Sequence, residues 1–435
     1  MIYFVCGNIY QRFTKFWILP IDSSLIITGG KRMKKFLSAL LVLLTVAVMA
    51  DNAALNSEKS GKSDQITPVV KPVEPAFFSP PVCIYAGRQS FFWGYRVSRD
   101  FIDPKFIPEK IICSIPELSI TASADVQRNQ HRQEWARLPK PVVPGKYKVI
   151  MKALGKNGKV LLEKSFTLVV INRPEYGKNF PIKTVSVDPE GNILVNGRKT
   201  LINGVYNAFH SNGAKNIAYA GFNTAKVRIE NPDGCQKILK ILESNKIYAD
   251  CEFKNITGKK LTSLIKSIKN NPAFLSRNTN GKPSQVVLKI CPDELDKVQR
   301  PQTAAQIRSN AYAALIDGAK ELWWDNFPEA YRIPHLWGAV TLFNSELFEL
   351  EDVITGKLTP LDCSNKAVKA AVFSNGSRTV VIAVNSRKNE VKTVLNGIPG
   401  KTLTELFSDK FSVPVSGGKV KITIAPEGTC IFEVK

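Results

Sequence analysis

Acidic side chains follow several predicted strands, where they could take part in acid–base chemistry. Glu230 and Glu252 end two successive strands, and Asp293 follows a later one. Two suitably spaced carboxyl groups can act as general acid and general base. Each residue also has a purely structural interpretation. Glu230 could pair with Arg228, and Glu252 could be a solvated strand end. Asp293 could cap the next helix, since it follows a proline.

A tryptophan pair precedes another candidate carboxylate. Trp323 and Trp324 end a predicted strand, and Asp325 and Asn326 follow it. Indole faces can stack on sugar rings, while a neighbouring carboxylate or amide can bind hydroxyl groups. In the alternative, one tryptophan fills the interior of a barrel and the other packs under a helix. Asp325 therefore joins the catalytic candidates, and the other three residues are predicted to bind substrate.

Two further polar residues follow the first strand of the same region. Asn207 and His210 could line the same edge, although the histidine could be an ordinary loop residue. The chain has 3 histidines in 435 residues, so a His-rich metal site is not expected. The sequence predicts no metal site and no other cofactor.

Short apolar strands alternate with amphipathic helices across residues 183–350. Five strands are predicted, at 201–206, 223–229, 247–253, 285–290 and 321–324. Repeated strand–helix units predict a parallel sheet, either open or closed into a barrel.

All-β regions flank this central part. Residues 81–172 show period-two alternation, clearest in a hairpin around the turn at 155–158, and residues 356–435 contain short alternating strands separated by Asn-Gly and Gly-Gly turns. Both patterns are typical of β-sandwiches.

Four segments carry a resemblance to a known family. They are Asp188–Lys199 (DPEGNILVNGRK), Leu201–Tyr206 (LINGVY), Ala220–Val227 (AGFNTAKV) and Ala311–Trp324 (AYAALIDGAKELWW). In this order they resemble TIM-barrel glycoside hydrolases of the retaining clan that includes β-galactosidase-like and cellulase-like enzymes. The resemblance covers residues 183–435, and it implies an O-glycosyl hydrolase fold with a polysaccharide or oligosaccharide as partner.

The sequence departs from that family in two respects. The family places an acid on the fourth strand, soon after a segment like Asn270–Leu275, but no Asp or Glu occurs between Phe253 and Asp293. The region 183–350 is also shorter than the about 250 residues of a full barrel. The predicted fold is therefore multidomain α/β plus all-β, with a reduced or incomplete (β/α) barrel flanked by two β-sandwiches. Three functions stay open: an exported glycoside-hydrolase-like protein that acts on or binds polysaccharide, a non-catalytic carbohydrate-binding protein, and a structural surface protein.

The N-terminus has the pattern of an export signal. Residues 33–50 combine a basic start, an apolar run and small residues before Asp51, as in a secretory signal peptide. Residues 1–32 are interpreted as an over-extended start, and 51–80 as a flexible linker. These features predict a secreted or periplasmic protein without a membrane span after cleavage.

The amino-acid composition bears on which classes of partner the protein can bind. The chain is 44% hydrophobic and 22% charged, with a net charge of +23. The lysines are spread along the chain without a basic run interleaved with aromatic residues, so nucleic acid is not the expected partner. Seven cysteines follow the predicted cleavage site without a C-x-x-C motif, and the sequence assigns no disulfide and no oligomeric state.

Overall fold

The computed structural model describes residues 74–97, 104–206, 211–254, 256–275, 285–290, 301–330, 332–407 and 411–435. The predicted start at 1–32, the signal peptide at 33–50 and most of the linker at 51–80 lie outside these residues. Six cysteines fall within them, and all six are free thiols. Within these ranges, no helix has the length and apolar character needed to cross a membrane.

The N-terminal β region, residues 74–171, consists of two sheets around one hydrophobic core. Its strands are β1 Ala76–Ser79, β2 Cys83–Tyr85, β3 Ser90–Val97, β4 Lys110–Ile115, β5 Ile120–Asp125, β6 Arg132–Arg137, β7 Gly145–Leu154 and β8 Val160–Ile171. The sheet orders are β2-β8-β7-β4-β5 and β1-β3-β6. The predicted hairpin is confirmed as β7 and β8, whose alternation buries Val149 and Met151.

A small antiparallel sheet precedes the central region. Its strands are β9 Val185–Val187, β10 Ile193–Val195 and β11 Arg198–Lys199. The turn before β10 is closed by Asp188, whose carboxylate accepts hydrogen bonds from the backbone N–H and the side-chain amide of Asn192 at 2.7 and 2.8 Å. This hairpin contains the segment DPEGNILVNGRK.

The central region alternates strands and helices. Its elements are β12 Ile202–Tyr206, α1 Ser211–Ala220, β13 Thr224–Ile229, α2 Pro232–Ser244, β14 Tyr248–Phe253, α3 Gly258–Ile268, β15 Gln285–Lys289, α4 Ala304–Ile316, β16 Glu321–Asp325, α5 Phe327–Ala330 and α6 Pro334–Ile354. The five strands form one parallel sheet in the order β14-β13-β12-β16-β15. Each strand end lies within one residue of its predicted position. A further bridge joins Phe274 to Ala249, next to β14.

The C-terminal β region packs on the helices of the central region. Its strands are β17 Lys357–Pro360, β18 Asp362–Cys363, β19 Val368–Ser374, β20 Thr379–Asn385, β21 Val391–Asn396, β22 Thr402–Glu405, β23 Ser412–Pro414, β24 Lys419–Ile424 and β25 Thr429–Val434. They form sheets in the orders β17-β19-β20-β25-β22-β23 and β18-β21-β24. One face of the larger sheet, including Phe373 and Ile382, joins the core of the helices, while Val372 and Val381 face the smaller sheet.

A buried ion pair joins α4, α6 and the C-terminal β region. Arg308 Nε donates to both carboxylate oxygens of Glu346, at 2.7 and 3.1 Å, and its Nη1 donates to the Thr429 carbonyl at 2.8 Å. Tyr312 Oη donates to the same carboxylate at 3.0 Å. Burial by itself would lower the pKa of Arg308, but Glu346, Tyr312 and Glu405 together outweigh this effect and raise that pKa.

A buried histidine joins α6 to the N-terminal β region. Ser79 Oγ lies 2.8 Å from His335 Nδ1 and accepts from the His335 backbone N–H at 3.1 Å. His335 Nε2 lies 2.8 Å from the Gln302 carbonyl oxygen. Because a carbonyl can only accept, Nε2 carries the proton and Nδ1 accepts from the Ser79 hydroxyl. Ser79 is 2% exposed, so this serine–histidine pair is structural.

We predict that Arg308→Met lowers the free energy of unfolding by about 3–5 kcal/mol, because it leaves the Glu346 carboxylate buried without its positively charged partner. Urea unfolding measures this. The matched control is Lys369→Met, which removes an ion pair to Asp317 whose two side chains are each 55% exposed. That change should cost at most about 1 kcal/mol. Equal losses in the two variants would contradict the prediction.

We also predict that His335 makes stability fall as the pH drops. Burial lowers the pKa of His335 to about 4, and the unfolded value is about 6.5. Between these values the unfolded chain binds a proton that the folded chain does not. The stabilisation from neutral His335 is therefore fully present above pH 6.5 and is lost progressively as the pH falls toward 4. The loss from pH 7 to pH 5 amounts to about 2 kcal/mol.

The comparison of the wild type with His335→Gln isolates this contribution in urea unfolding at pH 7 and pH 5. The stability of the wild type alone does not isolate it. Burial raises the pKa of Glu351 to about 7, and this carboxyl group therefore favours the folded state as the pH falls. The variant should lose less stability than the wild type over this range. Parallel curves would show that His335 does not contribute.

Candidate functional site

The central sheet has two faces of different character. The face toward the helices contains apolar side chains such as Val227, Ala249 and Trp324, all buried. On the other face, charged residues occupy alternate positions of β13 and β14. Parallel strands covered on both faces read as continuous apolar runs, whereas these strands alternate. The second face is therefore accessible over part of its area.

The amino-terminal half of this second face is closed. Trp323 is fully buried there, in a cluster with Ile193 and Val195 of the β9–β11 sheet and with Tyr248. Its indole N–H donates to Glu321 Oε2 at 2.7 Å. The ring lies against Gly204, where a Cβ atom would come within 2.5 Å of it. Any residue other than glycine at position 204 would therefore displace the Trp323 ring.

The carboxyl-terminal half of the face is polar, and we call it the open face. It consists of Tyr206, Lys226, Arg228, Asp250, Glu252 and Asp325. Register aligns Tyr206, Lys226 and Asp250 across three strands, and Arg228 with Glu252 one step further along. Arg228 and Glu252 are exposed, and the other four are half-buried.

Lys226 lies over the aromatic part of the open face. Its Nζ is 5.1 Å from the centre of the Tyr206 ring and 5.2 Å from that of Trp323. Both distances are within the range of cation–π attraction. Tyr206 Oη also accepts a hydrogen bond from Gln285 Nε2 at 3.1 Å. The open face therefore has an ordered centre, flanked by Asp250 on one side and Asp325 on the other.

The structure corrects the expectation that the tryptophan pair stacks on a sugar. Trp323 is 0% exposed on the inner side, and Trp324 is 1% exposed under the helices. Trp324 Nε1 donates to Asn203 Oδ1 at 2.9 Å, and Asn203 Nδ2 donates to Asn344 Oδ1 on α6 at 2.8 Å. Neither ring presents a free face. As in the structural alternative, one ring of the pair packs under helices, while the other lies beneath the β9–β11 sheet.

The predicted carboxylates are spread along the edge of the sheet. Glu252 on β14 and Asp325 on β16 are three strand spacings apart, about 14 Å at about 4.8 Å per step. Carboxyl pairs of glycoside hydrolases are about 5–9.5 Å apart. Glu230 and Glu252 end neighbouring strands two residue positions apart, which gives about 8 Å between Cα atoms. Both are exposed, whereas a general acid that works at neutral pH typically occupies a desolvated site.

The remaining predicted residues divide into two groups. Asn326 follows β16 in a left-handed conformation with φ of 58°, and its N–H donates to Asp325 Oδ1 at 2.9 Å. Asn207, His210 and Asp293 lie outside the described residues. Among the described residues, no group of three His, Cys, Asp or Glu side chains could hold a metal ion.

Sequence reasoning missed four residues of the open face: Tyr206, Lys226, Arg228 and Asp250. A signal for them was available, because Thr224–Arg228 and Tyr248–Glu252 alternate polar and apolar residues within strands of a parallel sheet. Such alternation indicates that one face is accessible.

No protein-family model matches the chain, and no curated protein matches it either. Solved structures of carbohydrate-active enzymes are similar to part of it. A maltogenic alpha-amylase from Thermotoga neapolitana is 8% identical, with a TM-score of 0.40 over 53% of this chain and 98% of the amylase. An endoxylanase from Clostridium papyrosolvens is 9% identical, with a TM-score of 0.33 over 55% of this chain and 97% of the xylanase.

A Thermotoga maritima alpha-L-fucosynthase is also similar. It is 10% identical, with a TM-score of 0.35 over 52% of this chain and 77% of the fucosynthase. At these identities and TM-scores, the similarities assign neither a family nor an activity to this chain.

We predict that Gly204→Ala displaces Trp323 and lowers the free energy of unfolding by about 1–3 kcal/mol, as overpacking of a filled core does. Urea unfolding and the near-ultraviolet circular dichroism of the indoles measure this. The control is Gly234→Ala, because a Cβ at this helical position meets nothing within 4 Å. That change should instead stabilise the chain by about 0.5–1 kcal/mol. An unaltered near-ultraviolet spectrum in Gly204→Ala would disprove the displacement.

Proposed function

We propose that this chain is an exported carbohydrate-binding protein that binds a neutral oligosaccharide on the open face and does not hydrolyse it. The observation that carries the proposal is the row of oppositely charged side chains on the open face, where Lys226 lies beside Asp250 and Arg228 beside Glu252 in the strand register. Lys226 and Arg228 supply hydrogen-bond donors, and Asp250, Glu252 and Asp325 supply acceptors. Sugar hydroxyl groups both donate and accept, so such a row matches a chain of hydroxyls.

Two arguments support binding without hydrolysis. The carboxylates on β14 and β16 are too far apart to act on one glycosidic bond. The sequence also has no acid between Phe253 and Asp293, where the resembled hydrolases have one on the fourth strand. In this proposal the central sheet is an incomplete barrel of that family, flanked by two β-sandwiches, and it keeps the site without the acid–base pair.

A second candidate is hydrolysis by Glu230 and Glu252. Their separation of about 8 Å between Cα atoms is compatible with the wider spacing of inverting enzymes, about 6.5–9.5 Å between carboxyl groups. This candidate requires that Glu252→Gln abolish the release of reducing sugar.

The test is isothermal titration calorimetry of the full chain with maltotriose, cellotetraose and xylotetraose. At least one probe should bind, and Arg228→Ala and Glu252→Gln should each weaken it at least tenfold. Lys266→Ala, on the exposed side of α3, should leave binding within twofold. Binding that is unchanged in both open-face variants, or absent for all three probes, would disprove the proposal. Release of reducing sugar that depends on Glu252 would favour the second candidate.

A further inference from the structure

The smaller sheet of the N-terminal β region carries an aromatic pair on its outer side. Phe92 on β3 is in register with Trp135 on β6, and their ring centres are 3.8 Å apart at 54°. Because side-chain directions alternate along each strand, Trp93 and Ala136 point into the core and this pair points outward. Trp135 is 62% exposed. Tryptophan side chains are usually buried, so a solvent-exposed indole on a β-strand is a candidate contact for a ligand.

A cleft of about 130 Å³ lies beside the pair, between β3, β6, α1 and α6. Its aromatic walls include Tyr219 and Trp337, whose rings are nearly parallel at 9° and 6.4 Å between centres. Its polar lining includes Arg88, Gln133 and Asn216. We call the aromatic pair together with this cleft the aromatic platform.

Arg88 is held in a fixed position within the platform. Its guanidinium carbon is 3.9 Å from the centre of the Tyr219 ring, and its Nε donates to Tyr219 Oη at 2.6 Å. One hydrogen bond uses one of the five N–H donors of a guanidinium, so other donors stay available to a ligand. A planar fork that is ordered before binding loses little side-chain entropy when it binds a carboxylate.

The charge of the platform has one sign. Among the described residues that line the cleft, Arg88 is basic and none is acidic. Arg137 lies two residues beyond Trp135 on the same face of β6, in register with Ser90, and it is exposed. This differs from the open face, where acidic side chains of β14 lie beside basic side chains of β13. The platform is therefore complementary to an anionic ligand.

We propose that the aromatic platform binds a polysaccharide of carboxylate-bearing sugars, with a pyranose ring on Trp135 and sugar carboxylates near Arg88 and Arg137. Flat C–H-rich sugar faces fit an exposed indole, and the arginines select the acidic sugar. A protein partner fits less well, because stable protein interfaces bury about 800 Å² per side, and two rings with a small cleft offer much less. This site is separate from the open face, so the inference goes beyond the proposed function.

Affinity electrophoresis and calorimetry of the full chain with polygalacturonate, and with dextran as the neutral comparison, test the proposal. Trp135→Ala should weaken polygalacturonate binding at least tenfold. The matched control is Phe106→Ala, an aromatic residue of the same region that is 48% exposed, and it should bind within twofold of the wild type. Urea midpoints of both variants should equal that of the wild type, since both side chains are exposed.

A second pair of variants tests the charge. Arg137→Gln should weaken polygalacturonate binding and reduce its dependence on salt, whereas Lys140→Gln, exposed nearby on the chain, should change neither. Dextran should bind at least tenfold more weakly than polygalacturonate, and its binding should not depend on Trp135.

Three results would overturn the proposal. Polygalacturonate binding that persists in Trp135→Ala but disappears in Arg228→Ala would place the polyanion on the open face. Equal, Trp135-dependent binding of dextran would show a neutral-sugar site. Self-association that Trp135→Ala abolishes, without polysaccharide binding, would identify an interface between copies of the chain. The proposed function is tested separately, with neutral oligosaccharides and open-face variants, so the two can fail independently.

Discussion

The two consecutive tryptophans of β16 impose the constraint on which the central region depends. Neighbouring residues of a strand point to opposite faces, so Trp323 and Trp324 require cover on both sides of one sheet. The helices bury Trp324, and the Asn203–Asn344 contact holds α6 against the sheet. The β9–β11 sheet buries Trp323 from the other side. These two layers determine which parts of the central sheet are covered and which parts can carry polar side chains.

The open face follows from the limited extent of that inner cover. The β9–β11 sheet covers the first half of the strands of the central sheet, up to Trp323 and Gly204. Beyond it, the same face carries charged side chains. Lys226 marks the border, because its ammonium group lies over both the buried Trp323 ring and the half-buried Tyr206 ring. The same constraint thus removes the tryptophans from ligand contact and leaves the charged residues available.

Polar contacts in buried surroundings join the central region to its neighbours. Arg308 reaches from α4 to Glu346 and to the Thr429 carbonyl, and His335 reaches from α6 to Ser79. Unpaired polar groups in such places are costly, so these contacts favour one relative placement of the layers over others. The aromatic platform lies at one of these junctions, where side chains of α1 and α6 meet the N-terminal β region.

The sequence by itself determined the order of the regions, the positions of the strands and the absence of Asp and Glu between Phe253 and Asp293, because periodicity and composition are local properties. Tertiary structure decided the distances between candidate groups. Glu252 and Asp325 both end strands, but the insertion of β12 and β13 between β14 and β16 separates them, and sheet order depends on long-range pairing. Likewise, the exposure of Trp135 and the burial of Trp323 depend on which layer covers each face of the sheet, and the residues of a strand do not by themselves specify that layer.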